Sequence, residues 1–101
     1  MSAIFYLVVV IMTDKMVTVT NSVGLHARAA TLFIQKANIY KGCSIWIEND
    51  NRRVNAKSLL GVLSLGIVRG MQIKIVADGD DEAGAVEGLC RAIEVDIADK
   101  A

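Results

Sequence analysis

The chain is predicted to be an α+β protein, an open-faced β-sandwich. A four-stranded antiparallel sheet carries three helices on one face, in the order β-α-β-β-α-β-α. Three observations predict this. Segments alternating with period two take turns along the chain with segments of helical spacing. Two of the alternating segments are separated only by turn residues, which makes them an antiparallel hairpin. With 53% hydrophobic and 22% charged residues in 101, the composition suits one packed domain and not a disordered chain.

The first stretch stands apart. Ile4 to Met12 is an unbroken apolar run. It is too short to span a bilayer as a helix. No basic residue precedes it and no small-residue cleavage site follows, so a secretory signal is a poor reading. Its β-branched and aromatic content suits a strand. Residues 1–11 are therefore set aside as an apolar N-terminal extension, and residues 12–101 are taken as the domain.

In the domain, Val17 and Val19 alternate with Thr18 and Thr20, giving a half-buried strand. Asn21 to Gly24 breaks it. A helix is expected from about Ala27 to Asn38, with Ala30, Phe33, Ile34 and Ala37 on its inner face. Lys41 and Gly42 end it. Cys43, Ile45 and Ile47 alternate with Ser44, Trp46 and Glu48 as a second strand. Asn49-Asp50-Asn51 is turn chemistry, and Arg52 to Asn55 returns as a third strand. A short helix runs from Ser58 to about Leu63. After Gly66 and Gly70, Gln72 to Asp78 forms the fourth strand, with Ile73 and Ile75 inward. Asp80, Asp81 and Glu82 crowd the start of the last helix, where carboxylates suit the dipole. Ala83, Val86, Leu89, Cys90 and Ile93 are its expected core stripe. Trp46, of opposite parity to Ile45 and Ile47, belongs on the open face of the sheet.

Composition also excludes. Eleven basic residues balance eleven acidic ones, so nothing suggests the basic field that a nucleic-acid binder uses. One histidine and two distant cysteines, Cys43 and Cys90, make no metal set. The cysteines read as buried small hydrophobes of a reducing cytoplasm. No cofactor and no membrane insertion are expected.

The chemistry concentrates at Gly24-Leu25-His26-Ala27-Arg28. A strand ends, a glycine turns the chain and a helix begins, with His26 at or next to the N-cap. The first N–H groups of a helix have no intrahelical partner and, with the dipole, favour an anion. A neutral imidazole there keeps one ring nitrogen free to attack phosphorus. Arg28 can then hold the phosphoryl group by charge-assisted hydrogen bonds. By spacing alone, a lone histidine at a helix start is more often an inert polar residue.

The stretch Val23-Gly24-Leu25-His26-Ala27-Arg28, followed by Ala30, resembles the active-site motif of the HPr family, the histidine phosphocarriers of the bacterial phosphotransferase system. Val54-Asn55-Ala56-Lys57-Ser58-Leu59-Leu60-Gly61-Val62-Leu63-Ser64-Leu65-Gly66 is similar to the family's second signature. The acidic run Asp78 to Glu82 matches as well. The likeness covers about residues 16–95.

That resemblance implies roles. His26 would accept a phosphoryl group from enzyme I and give it to the IIA domains of sugar permeases, with Arg28 helping to hold it. The protein would be a substrate of enzymes and not itself an enzyme. Ser58 would be a regulatory phosphorylation site for an HPr kinase/phosphorylase, read by a catabolite-control transcription regulator. Leu59, Leu60 and Leu63 would form the apolar patch that docks partners. The location implied is cytoplasmic. Two departures stand out. Ala29 occupies the place of a usual proline, and the stretch from His26 to Ser58 is slightly long. Two other classes remain beside this one: a regulatory paralogue acting through Ser58 without a part in sugar uptake, and a small enzyme or ligand-binding domain of similar fold.

Overall fold

The computed structural model describes residues 12–22 and 24–97, so the expectation for the extension 1–11 lies outside the described residues. Strands β1 (Thr13–Thr18), β2 (Cys43–Asn49), β3 (Arg52–Asn55) and β4 (Gln72–Gly79) form one antiparallel sheet in the order β1-β4-β2-β3. Helices α1 (Ala27–Ala37), α2 (Leu59–Ser64) and α3 (Glu82–Arg91) complete it. A π-helical turn, Ala92–Asp96, continues α3 and closes with Ile97 N–H donating to Ala92 O at 2.8 Å.

The pleat explains the layering. Cys43, Ile45 and Ile47 of β2 and Ile73, Ile75 and Ala77 of β4 point to one face and are buried there, with Phe33 and Leu89 among the largest fully buried side chains. α1 contributes Ala29, Ala30, Phe33 and Ala37, while Ile34 is only partly buried. In α3 the stripe is Ala85, Val86, Leu89 and Cys90, continued by Ile93; Ala83 is exposed, contrary to the sequence expectation. The helix begins at Glu82 after Asp81 at φ +55°, which puts Ala85 on the inner face instead.

β1 starts earlier than its valines suggest. Its core-side residues Thr13 and Lys15 face the acidic flank of α3: Thr13 Oγ1 donates to Glu82 Oε2 at 2.9 Å, and Lys15 Nζ meets Glu87 at 3.4 Å. Such an edge strand needs little apolar content. Val19 lies just past the strand and stays buried, its N–H donating to Met71 O at 2.9 Å.

On the open face Trp46 is half-buried. The Arg53 guanidinium sits 4.9 Å from the centroid of its ring and also pairs with Glu48. Arg52 reaches the end of α2 instead, donating to Ser64 O at 2.7 Å and to Ser64 Oγ at 3.0 Å.

Candidate functional site

The turn before α1 is held by backbone contacts. Gly24 has φ +69°, and a Cβ there would lie 2.3 Å from Ile67 O and 2.6 Å from Val68 Cα. Only glycine meets both the dihedral and the space. Leu25 N–H donates to Ile67 O at 3.0 Å, and Gly24 N–H to Asn21 O at 3.2 Å. Asn21 is buried, and its Nδ2 donates to Gly24 O.

This turn delivers His26 to the N-cap with extended backbone, φ −77° and ψ 180°. Ala30 N–H makes the first intrahelical bond, to His26 O at 2.8 Å. The N–H groups of Ala27, Arg28 and Ala29 therefore lie before the helical ladder begins. His26 Nδ1 accepts from Arg28 N–H at 3.4 Å. In a neutral imidazole this contact fits the tautomer with its proton on Nε2, which leaves a lone pair on Nδ1. Nδ1 thus turns a lone pair toward the positive end of α1. The Arg28 side chain is exposed and has no hydrogen bond or ion pair among the described residues.

Ser58 sits at the N-cap of α2, with its Oγ accepting from Gly61 N–H at 3.0 Å. Asn55 steadies the approach: its O accepts from Ser58 N–H at 3.1 Å and its Oδ1 from Lys57 N–H at 2.8 Å. α1 and α2 pack on one another, so the two sequence motifs occupy adjoining elements. The three leucines divide. Leu60 is 81% exposed and Leu59 42%, whereas Leu63 is partly buried against the core. The exposed patch is therefore smaller than the sequence pattern suggested, because the inner face of so short a helix must anchor it.

Two neighbours of the His26 turn were not legible as site residues. Val68, 53% exposed, lies against Gly24, and exposed Arg69 follows it. Only the flanking Gly66 and Gly70 marked this loop in the sequence. Cys43 and Cys90 are buried free thiols, and burial pushes Cys90 up to about 11 and Cys43 upward as well. No cluster of metal-ligating side chains occurs among the described residues. No helix there is long and apolar enough to cross a membrane.

Fold and site together define a class: a small open-faced sandwich that presents a histidine at a helix N-terminus. Comparison with known proteins then gives the family. The model of the family "PTS HPr component phosphorylation site" matches residues 13–95. The chain is 45% identical over 83 residues to the HPr-like protein Crh of Halalkalibacterium halodurans, covering 82% of this chain and 98% of that one. It is 37% identical over 78 residues to the phosphocarrier protein HPr of Neisseria meningitidis, covering 77% and 86%. The crystal structure of HPr-C-His from Thermoanaerobacter tengcongensis superposes with a TM-score of 0.82 at 40% identity, over 88% of this chain and 99% of the other. The chain belongs to the HPr family of phosphocarrier proteins of the phosphotransferase system.

Proposed function

We propose that the chain relays a phosphoryl group through His26, from enzyme I to the IIA domains of sugar permeases, in the cytoplasm. The observation that carries this reading is His26 at the N-cap of α1, with its Nδ1 accepting from the Arg28 N–H that precedes the helical ladder. The Nδ1 lone pair attacks phosphorus as the donor's bond to phosphorus breaks. The transferred oxygens then lie beside the first-turn N–H groups, with Arg28 close in sequence and without an ion pair among the described residues. Ser58 is the regulatory site in this reading. A phosphate on its Oγ would place a large negative charge beside Leu59 and Leu60 and weaken docking. The HPr kinase/phosphorylase and a catabolite-control transcription regulator are the partners that such a site implies.

Incubation with enzyme I and phosphoenolpyruvate tests the relay. One acid-labile phosphoryl group is expected, lost in His26→Ala and passed on to a IIA domain. A second reading draws on the likeness to the HPr-like protein Crh: a regulatory protein that signals through phosphorylated Ser58 alone. That reading prevails if enzyme I leaves the chain unlabelled while the serine kinase modifies it.

A further inference from the structure

We propose that a polar notch at the β2–β3 edge binds a small organic phosphate. The site is independent of His26. The β2–β3 ladder ends at Trp46 opposite Asn55, and after Ala56 N–H donates to Ile45 O at 2.9 Å the chain turns away toward Ser58. Lys57 reaches back across the opening. Its Nζ donates to Tyr40 O and to Cys43 O, each at 2.7 Å. Between these parts lies a notch of about 460 Å³, walled by Lys41, Ser44, Trp46, Asn55 and Lys57 and by the backbone from Gly42 to Ile45.

The residues that line it carry charge of one sign. Two ammonium groups and no carboxylate line it. Two acids adjoin it from the other side of β2: Asp78 of β4, paired in register with Ser44, and Asp80, against Gly42, whereas the notch opens where β3 leaves β2. Its donors are also unspent. An ammonium has three N–H groups, and Lys57 uses two of them on carbonyls. The Lys41 ammonium, Ser44 Oγ and Asn55 Nδ2 have no hydrogen-bond partner among the described residues. Donors without acceptors select an anion. The volume selects its size: a bare phosphate would fill only part of a space that falls in the range of small-molecule sites. Trp46 offers a flat apolar wall for the carbon part of the ligand.

Trp46 is the chain's single tryptophan, so its fluorescence reads the site directly. The full chain is titrated with AMP, ribose 5-phosphate, adenosine, ribose and inorganic phosphate. Amide shifts of residues 41–46 in ¹⁵N spectra give a second readout if the indole is silent. Saturable binding of AMP or ribose 5-phosphate is expected, with affinity about tenfold weaker in Lys41→Met, which loses one charge-assisted hydrogen bond. Phosphoryl acceptance at His26 should be unchanged in that variant. The proposal is overturned if neither phosphate ester binds, if adenosine or ribose binds as well as its ester, if inorganic phosphate binds as tightly as both esters, or if Lys41→Met binds like the parent.

Discussion

Arg28 N–H donates to His26 Nδ1 across 3.4 Å, a long bond closed within the first turn of α1. So long a bond is easily exchanged. A phosphoryl oxygen on Nδ1 can take over the same N–H at shorter range. The ¹⁵N spectrum of the imidazole should show the Nε2–H tautomer, and the Arg28 amide should shift strongly on phosphorylation. Arg28→Ala should keep the fold, because its exposed side chain makes no bond among the described residues, and should slow transfer about tenfold. An Nδ1–H tautomer would contradict the assignment of the nucleophile.

Gly24→Ala should be costly for two reasons at once. A Cβ there meets Ile67 O at 2.3 Å, and the backbone is at φ +69°. A loss of roughly 2–4 kcal/mol in urea unfolding is expected. Gly66→Ala provides the comparison. Its φ is +60° but nothing lies within 4 Å of its Cβ, so only strain of about 1 kcal/mol should appear. Equal losses at both positions would mean that the close approach to Ile67 does not matter.

Ser58 separates capping from signalling. Ser58→Ala removes the bond to Gly61 N–H and should cost about 1 kcal/mol. Ser58→Asp keeps an acceptor at the cap and should fold normally by circular dichroism, yet accept phosphate from enzyme I more slowly. Transfer as fast as in the parent would remove the support for a regulatory role.

Ala29 stands where the resemblance to the HPr family leads one to expect proline. Its N–H lies before the first intrahelical bond, which Ala30 makes, so a missing donor costs little there. Ala29→Pro should add about 0.4–1 kcal/mol by restricting the unfolded chain. The side chain is completely buried, so the ring must fit among core neighbours. Urea unfolding decides: a destabilised variant would show that packing at Ala29 outweighs chain entropy.

Cys90 makes stability depend on alkaline pH. Burial raises its thiol from 9.0 to about 11, so the folded state holds the proton over an interval where the unfolded state has released it. The stabilising contribution is complete below pH 9.0 and is lost as pH rises through about 11. Cys90→Ala should flatten the fall in unfolding free energy over that interval, and a thiol reagent should label Cys90 only as the protein unfolds.

Much of this was legible in the sequence, for identifiable reasons. Strands β2 and β4 announce themselves because Ile45 and Ile47, and Ile73 and Ile75, alternate with mostly polar neighbours, Trp46 and Val76 being the apolar exceptions that pair on the outer face. β3 was bounded correctly by its turn on one side and the Ser58 cap on the other. β1 was misplaced because Thr13 and Lys15 satisfy polar partners on α3, which leaves no apolar alternation to read. Ala83 was misassigned because the left-handed Asp81 sets the rotation of α3, and composition does not show that angle. At the site, His26 and Ser58 stood at visible helix starts. The loop at Val68 did not, because it meets Gly24 through backbone atoms whose identity is independent of side chain.

The strand order has a consequence for how the protein is made. β1 pairs with β4, so Thr13 meets Ala77 and Thr18 meets Gln72, partners more than fifty residues apart. α3, the last regular α-helix among the described residues, packs in turn on β1, the first strand among them. A ribosome delivering this chain therefore releases β1 long before its partners exist. The earlier elements can gather only locally, as the β2–β3 hairpin and its neighbouring helices. The sheet closes only once β4 has emerged, and until then β1 waits as an unpaired edge that a chaperone can hold.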